Sequence, residues 1–277
     1  MTVEIGRATS IHVDEVRIDR QVIDSDHGPV RVTRFYPPMS YTWRHTSDEE
    51  PIVLSHGWAE GQSITASFAD AVAMRGREIV TFDYPVSRTR IDVQKRRAEV
   101  LAGVVESLDS QSVDMIAHSE GAFAALTIAR QGMVRKLLLA APAGLIGPTS
   151  PSALIDRAAR ESAYGVYGKM PDAIWKTVLN GMKATRYVGQ QPRLSLEEIA
   201  SIARADAKPD LLALSGSSVR LGIVACRHDR IFPPRLLRAH LGDALDAMSY
   251  RELDTNHFDF LTTKKVQEEI LLSLEQL

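Results

Sequence analysis

Cysteine is almost missing from this sequence, because Cys226 is the only one among 277 residues. A lone cysteine excludes an intramolecular disulfide and any zinc site built from cysteines, and it is typical of a protein from a reducing compartment. Residues 219–226 are apolar enough to be predicted as a strand. We therefore interpret Cys226 as a small core residue.

An excess of charge of either sign is also lacking. The formal net charge is -2 and the isoelectric point is about 6.5, so the chain has no basic field that would attract nucleic acid. A substrate that is uncharged or weakly charged fits this balance. We find no fixed repeat and no low-complexity tract, which excludes solenoid folds and disordered linkers.

Long apolar runs are absent as well. The longest, residues 137–146, is too short to cross a bilayer, and the amino terminus carries no apolar stretch of the secretory type. We therefore predict a cytoplasmic protein whose partner is a small-molecule substrate, with no membrane and no nucleic acid involved. The oligomeric state stays open.

The chain does contain a regular alternation of strand and helix patterns. An amino-terminal hairpin is predicted at residues 13–36, and shorter apolar strands then alternate with helical segments. Such alternation predicts an α/β fold with a mostly parallel sheet of about eight strands, flanked by helices on both faces. The strands after the hairpin are predicted at residues 52–55, 78–83, 113–117, 136–141, 219–226 and 248–253.

Between residues 142 and 218 the alternation stops and the pattern becomes helical. Helices are predicted at residues 151–163, 171–182 and 196–205, the last of them after a capping box that begins at Ser195. A helical block between two sheet strands is typical of a cap over the carboxyl ends of the strands, where ligands bind. We predict a core of residues 1–142 and 218–277 and a cap of residues 143–217. Within the cap, Trp175 and Tyr167 either line an apolar substrate pocket or pack the cap helices together.

The most informative local pattern is a serine between small residues where a strand runs into a helix. Ser119 is preceded by Ala117 and followed by Gly121, each two positions away. A serine hydroxyl becomes a useful nucleophile only if it projects from the backbone toward a base, and a sharp strand-to-helix turn achieves this. The turn brings two backbones close together, which requires small residues on both sides. The alternative is that Ser119 is only a helix N-cap.

Two later loops offer the base and the acid that such a serine needs. Asp229 follows the strand that ends at residue 226, and His257 follows the strand that ends at residue 253. The chain order Ser119, Asp229, His257 is the order that accompanies a strand-turn-helix nucleophile. His228 is the strongest rival base, because it adjoins the predicted acid.

Acyl transfer also needs N–H donors for the developing oxyanion. One is the backbone N–H of Glu120, directly after the serine, and the other is expected in the loop after residues 52–55. There Gly57 would let the chain bend so that the backbone N–H of Trp58 faces the site. The Trp58 side chain then either walls the acyl pocket or packs under the cap, and His56 is interpreted as a structural residue.

Together these motifs resemble the α/β-hydrolase superfamily, from about residue 13 to the last helix. The resemblance implies a Ser119 nucleophile, a His257 base and an Asp229 acid that orients it. It further implies oxyanion donors at Trp58 and Glu120, and no cofactor. It is carried by Ser-His-Gly-Trp at 55–58, Ala-His-Ser-Glu-Gly at 117–121, His-Asp-Arg-Ile-Phe-Pro at 228–233 and Asn-His-Phe at 256–258.

Two departures accompany the resemblance: Ala117 and Asn256 stand where members of that superfamily usually carry glycine. Members that open epoxides or remove halides carry aspartate in place of Ser119, so those activities are not expected. The leading hypothesis is an esterase that cleaves a small to medium, largely apolar carboxylic ester through an acyl-enzyme. The same three residues also serve thioesters, lactones, carbon-carbon bonds and perhydrolase or haloperoxidase chemistry. A non-catalytic ligand-binding protein on the same scaffold is the rival from another class.

Overall fold

One sheet of eight strands organises the computed structural model, which describes residues 15–38, 50–58, 60–85, 92–166, 186 and 188–277. The strands are β1 (Arg17–Ile23), β2 (Val30–Tyr36), β3 (Ile52–Ser55), β4 (Ile79–Phe82), β5 (Val113–His118), β6 (Val134–Ala140), β7 (Arg220–Cys226) and β8 (Ser249–Leu253). Their spatial order is β1-β2-β4-β3-β5-β6-β7-β8. Strand β2 runs antiparallel to both of its neighbours, β1 and β4, and all other neighbouring strands are parallel. The predicted mostly parallel α/β sheet is therefore confirmed.

Helices cover both faces of this sheet. They are α1 (Gln62–Ala73), α2 (Val93–Glu106), α3 (Gly121–Arg130), α4 (Pro151–Val166), α5 (Pro192–Arg204), α6 (Lys208–Ser215), α7 (Pro234–Leu241) and α8 (Lys264–Glu275). Every residue of β3, β4 and β5 is buried, as expected for parallel strands that are covered on both sides. Alternate strand residues face two separate cores, of which one packs against α1 and α8 and the other against α2, α3 and α6.

The segment between β6 and β7 differs from its prediction in two places. Helix α5 begins at Pro192, one turn before the predicted start, because proline favours the first helical position. The capping box at Ser195 is therefore wrong, and Ser195 is buried inside the helix. Helix α6 was not predicted, and it packs on α3 through Leu211 and Leu214. The helix predicted at 171–182 lies outside the described residues.

Candidate active site

Ser119 occupies the turn that joins β5 to α3. Its backbone φ is +53°, in the left-handed region that residues other than glycine rarely adopt. Such a conformation is strained and persists only where the surroundings enforce it, which is common at functional sites. The enforcing contact is close packing of the turn on the end of β3, because a Cβ added at Gly121 would lie 2.2 Å from the carbonyl oxygen of Ser55. The Ser55 hydroxyl also donates to the Gly121 carbonyl, at 3.0 Å.

Three side chains selected from the sequence meet beside this turn. Nε2 of His257 lies 3.1 Å from the Ser119 hydroxyl oxygen, and its Nδ1 lies 2.7 Å from a carboxylate oxygen of Asp229. The exposed fractions of Ser119, His257 and Asp229 are 8%, 2% and 3%. The second oxygen of Asp229 accepts the backbone N–H groups of Ile231 and Phe232, both at 2.8 Å. A hydroxyl, an imidazole and a fixed carboxylate in this order can move a proton from the serine to the histidine.

The surroundings of His257 favour its charged form. Burial lowers the pKa of the imidazole, but the carboxylate of Asp229 and its hydrogen bond raise it, as do the charges of Glu161 and Glu60. The net pKa of His257 is raised above its usual value. The site therefore stabilises the imidazolium that forms when the histidine accepts a proton.

Glu161 is a residue of the site that the sequence interpretation missed. It lies on α4 and is 1% exposed. One carboxylate oxygen accepts the backbone N–H of His257 at 2.8 Å, and the other accepts the backbone N–H of Arg230 at 3.0 Å. Burial and the nearby Asp229 charge raise the pKa of Glu161. The Glu161 side chain thus holds both loops that carry His257 and Asp229. The sequence offered one indication of this role: Glu161 lies seven residues after Leu154, on the buried face of the helix.

The loop after β3 is held next to Ser119 by a second carboxylate. A Cβ added at Gly57 would lie 2.9 Å from the Ser119 Cβ, so the glycine permits this approach. Glu60 accepts the Gly57 N–H at 2.7 Å and pairs with Nδ1 of His118 at 2.8 Å. Burial raises the pKa of Glu60. The charge and the hydrogen bond of His118 lower this pKa, and the net shift is downward. The backbone of Trp58, the residue after Gly57, is therefore held at the edge of the site.

His118, the residue before Ser119, contacts the residue proposed as the base. Its Nε2 lies 3.3 Å from the His257 carbonyl oxygen, and the two rings are 4.9 Å apart. His118 thereby links the turn to the backbone of His257. His56 is buried with Nδ1 3.0 Å from the Gly57 carbonyl, which agrees with a structural role.

Glu120 anchors the start of α3 in a buried group of charges. Its carboxylate lies 2.9 Å from Arg97 of α2 and accepts a hydrogen bond from Gln94 at 3.1 Å. Arg97 also lies 3.4 Å from Glu198 of α5. Burial raises the pKa of Glu120 to about 7, although Arg97 opposes this shift and Glu198 adds to it. Glu120 is the N-cap of α3, and its backbone N–H lies at the start of the helix, where N–H groups have no partner within the helix.

The rival base does not join this site. His228, the rival base, is exposed and its ring pairs with Asp254 at 2.8 Å. The pocket residues Trp175 and Tyr167 lie outside the described residues. In the part of the chain that the structure covers, no three His, Cys, Asp or Glu side chains gather as a metal site, and no helix is long and apolar enough to cross a membrane.

Comparison with known proteins identifies the family. The model of the alpha/beta hydrolase family matches residues 52–266, most of the chain. The chain belongs to the alpha/beta hydrolase family. A search among curated protein sequences finds no match.

Solved structures of other α/β hydrolases are similar over nearly the whole chain. The enol-lactonase from Burkholderia xenovorans LB400 has a TM-score of 0.69 at 17% identity, covering 92% of this chain and 99% of its own. An esterase from Exiguobacterium antarcticum gives 0.68 at 16% identity, with 92% and 98% covered. The bromoperoxidase from Bacillus anthracis gives 0.66 at 16% identity, with 93% and 100% covered. At these identities the likeness establishes the fold.

Proposed function

We propose that this α/β hydrolase is a serine hydrolase that cleaves a small to medium, largely apolar carboxylic ester through an acyl-enzyme. Ser119 is the nucleophile, His257 the general base and acid, and Asp229 the group that orients the imidazole. The observation that carries the proposal is the unbroken chain of contacts from the Ser119 hydroxyl through the His257 ring to Asp229. The left-handed backbone at Ser119 supports it, because such strain is commonly kept at active sites.

The reaction follows from these positions. The Ser119 oxygen attacks the ester carbonyl carbon while its proton moves to Nε2 of His257. The tetrahedral intermediate collapses, the C–O bond to the alcohol breaks, and His257 returns the proton to the departing alkoxide. A water molecule then attacks the acyl-enzyme and gives a proton to His257. The Ser119–acyl bond breaks, the acid leaves, and His257 returns the proton to Ser119.

We assign the oxyanion to the backbone N–H groups of Trp58 and Glu120. The assignment of the Glu120 N–H is supported by its place at the N-cap of α3, where the helix dipole favours negative charge. The assignment of the Trp58 N–H is supported by the close approach of its neighbour Gly57 to Ser119. Glu60 holds Gly57 in this place by accepting its N–H. Preorganised donors of this kind need no rearrangement when the charge develops.

We further propose that residues 143–217 contain a cap whose helix α4 positions the catalytic loops. Glu161 reaches from α4 to the backbone of both loops at the carboxyl ends of β7 and β8. It contacts no reacting atom in this scheme, and it acts through the orientation of His257 and Asp229. Trp175 and Tyr167 remain candidates for the walls of the substrate pocket.

A fluorophosphonate probe together with p-nitrophenyl esters tests the proposal. We expect labelling of the wild type, loss of labelling in Ser119→Ala, and turnover reduced by several orders of magnitude in Ser119→Ala and His257→Ala. His228→Ala is the matched control, because this exposed histidine has an ion pair but no contact with Ser119. Labelling near wild type is expected there. A folded wild type that is not labelled and hydrolyses nothing would instead indicate a non-catalytic binding protein.

The bond type needs a separate experiment. Rates for p-nitrophenyl esters of increasing acyl length, compared with thioester and lactone substrates, report the depth of the pocket and the preferred bond together. We expect the highest kcat/KM on an apolar ester of short or medium length. A thioester or lactone that exceeds every ester by tenfold or more would reject the ester assignment while it keeps the serine mechanism.

A further inference from the structure

A cavity lined with arginine lies behind the loop that carries Asp229. Its volume is about 520 Å³, a common size for small-molecule sites. Four parts of the chain line it: helix α4, the loop after β7, the start of α7, and Glu252 of β8. The arginines in the lining are Arg157, Arg160, Arg227, Arg230, Arg235 and Arg238, and only three carboxylates accompany them.

Carboxylates compensate only part of this positive charge. Asp156 pairs with Arg160 at 3.0 Å, Glu252 pairs with Arg238, and Asp254, which lies outside the lining, pairs with Arg227 at 3.6 Å. The third carboxylate of the lining, Asp229, is committed to His257 and to two backbone N–H groups. The chain as a whole is slightly negative, so this concentration of arginine is a local feature.

Two of the arginines have no partner among the residues that the structure describes. Neither Arg157 nor Arg235 makes an ion pair or a side-chain hydrogen bond with them, and Nη1 of Arg157 is buried without a hydrogen-bond partner. A buried guanidinium N–H without an acceptor is unfavourable, and native structures seldom keep one unless water or a ligand accepts it. Arg235 is exposed and water can hydrate it, so the buried Nη1 of Arg157 is the group that needs an acceptor, and an anion would supply one.

We propose that this cavity binds a small molecule that carries at least one phosphate group. Guanidinium groups from three elements approach from different directions, which suits the several oxygens of a tetrahedral phosphate better than the two oxygens of a planar carboxylate. The cavity is open to solvent on one side, so a small ligand can enter it from the surface. The bound anion would connect α4 to the loop after β7, and the site does not depend on the proposed hydrolase activity.

Titration calorimetry with sodium tripolyphosphate, at an ionic strength kept constant with sodium chloride, tests this site. We expect wild-type binding that weakens at least tenfold in the double variant Arg157→Gln and Arg235→Gln. The control is Arg20→Gln, an exposed arginine of β1 at the opposite edge of the sheet, and its affinity should equal that of the wild type. Citrate should bind at least tenfold more weakly than tripolyphosphate, and at about pH 8 also at least tenfold more weakly than pyrophosphate, which carries about the same charge as citrate there.

Four results would overturn the proposal. The first is a wild type that takes up no tripolyphosphate. The second is a double variant with wild-type affinity, and the third is an equal loss in Arg20→Gln, which would indicate unspecific attraction to surface charge. The fourth is citrate binding as tight as tripolyphosphate, which would reject the phosphate assignment. Because calorimetry reads binding alone, none of these results depends on whether the protein hydrolyses esters.

Discussion

Replacing Glu161 by glutamine tests how helix α4 controls the proposed base. The wild-type carboxylate accepts one backbone N–H on each oxygen, from His257 and Arg230. Glutamine keeps the shape but offers one carbonyl oxygen, so its amide group must face one of these N–H donors. An unsatisfied donor of this kind costs about 1–3 kcal/mol, and we expect the free energy of unfolding to fall by about that amount.

The same substitution removes a negative charge near the imidazole. Because the Glu161 charge raises the pKa of His257, its removal lowers that pKa, and the histidine becomes neutral at a lower pH. The rise of kcat/KM with pH should therefore move to lower pH in Glu161→Gln. We also expect the plateau to fall about tenfold, equivalent to about 1.4 kcal/mol of lost transition-state stabilisation, because the His257 backbone loses its anchor.

Two measurements separate positioning from mere stability: kcat/KM against pH on a soluble ester, and urea denaturation. Glu197→Gln is the matched control, since this exposed glutamate of α5 pairs with Arg193 on its own helix. It should change stability by less than about 0.5 kcal/mol and leave the pH profile in place. If Glu161→Gln loses stability while the midpoint of the pH profile stays at the wild-type value, the positioning role of Glu161 is refuted.

Three other predictions concern the acid and the strained turn. Asp229→Asn should lower kcat by about 10³ to 10⁴ and move the pH midpoint of kcat/KM down, because the carboxylate raises the pKa of His257; an intact rate would show that the acid is misassigned. The free energy of unfolding of Ser119→Gly should be about 1 kcal/mol higher than that of Ser119→Ala, since glycine tolerates the positive φ. Equal urea midpoints would argue against strain. Gly121→Ala should destabilise by about 3 kcal/mol through its clash with Ser55, and wild-type stability would contradict that packing.

The alternation of strands and helices was predictable because it depends on local patterns of residues in the sequence. Short apolar runs and their spacing depend on neighbouring residues, and a parallel sheet buries such runs on both faces. The turn at Ser119 was predictable for the same reason, since Ala117 and Gly121 lie within two residues of it. The mistake at Ser195 was also local, because a capping-box pattern competed with the stronger start at Pro192.

Residues that act across the fold were harder to find. Glu161 and Glu60 read as ordinary charged positions, yet each is held by contacts with residues far away in the sequence. Glu161 meets the His257 backbone 96 positions further along the chain. No pattern of neighbours encodes such a pairing, since it depends on where packing places α4 over the ends of β7 and β8.

The double anchorage of Glu161 restricts how this protein can be re-engineered. Transplanting the region between β6 and β7 from another enzyme is an attractive route to new selectivity. A chimera built that way would lose Glu161, and the backbone N–H groups of His257 and Arg230 would then lack their shared acceptor. A successful replacement must therefore bring a carboxylate to the same place, because the proposed cap and the proposed active site share one side chain.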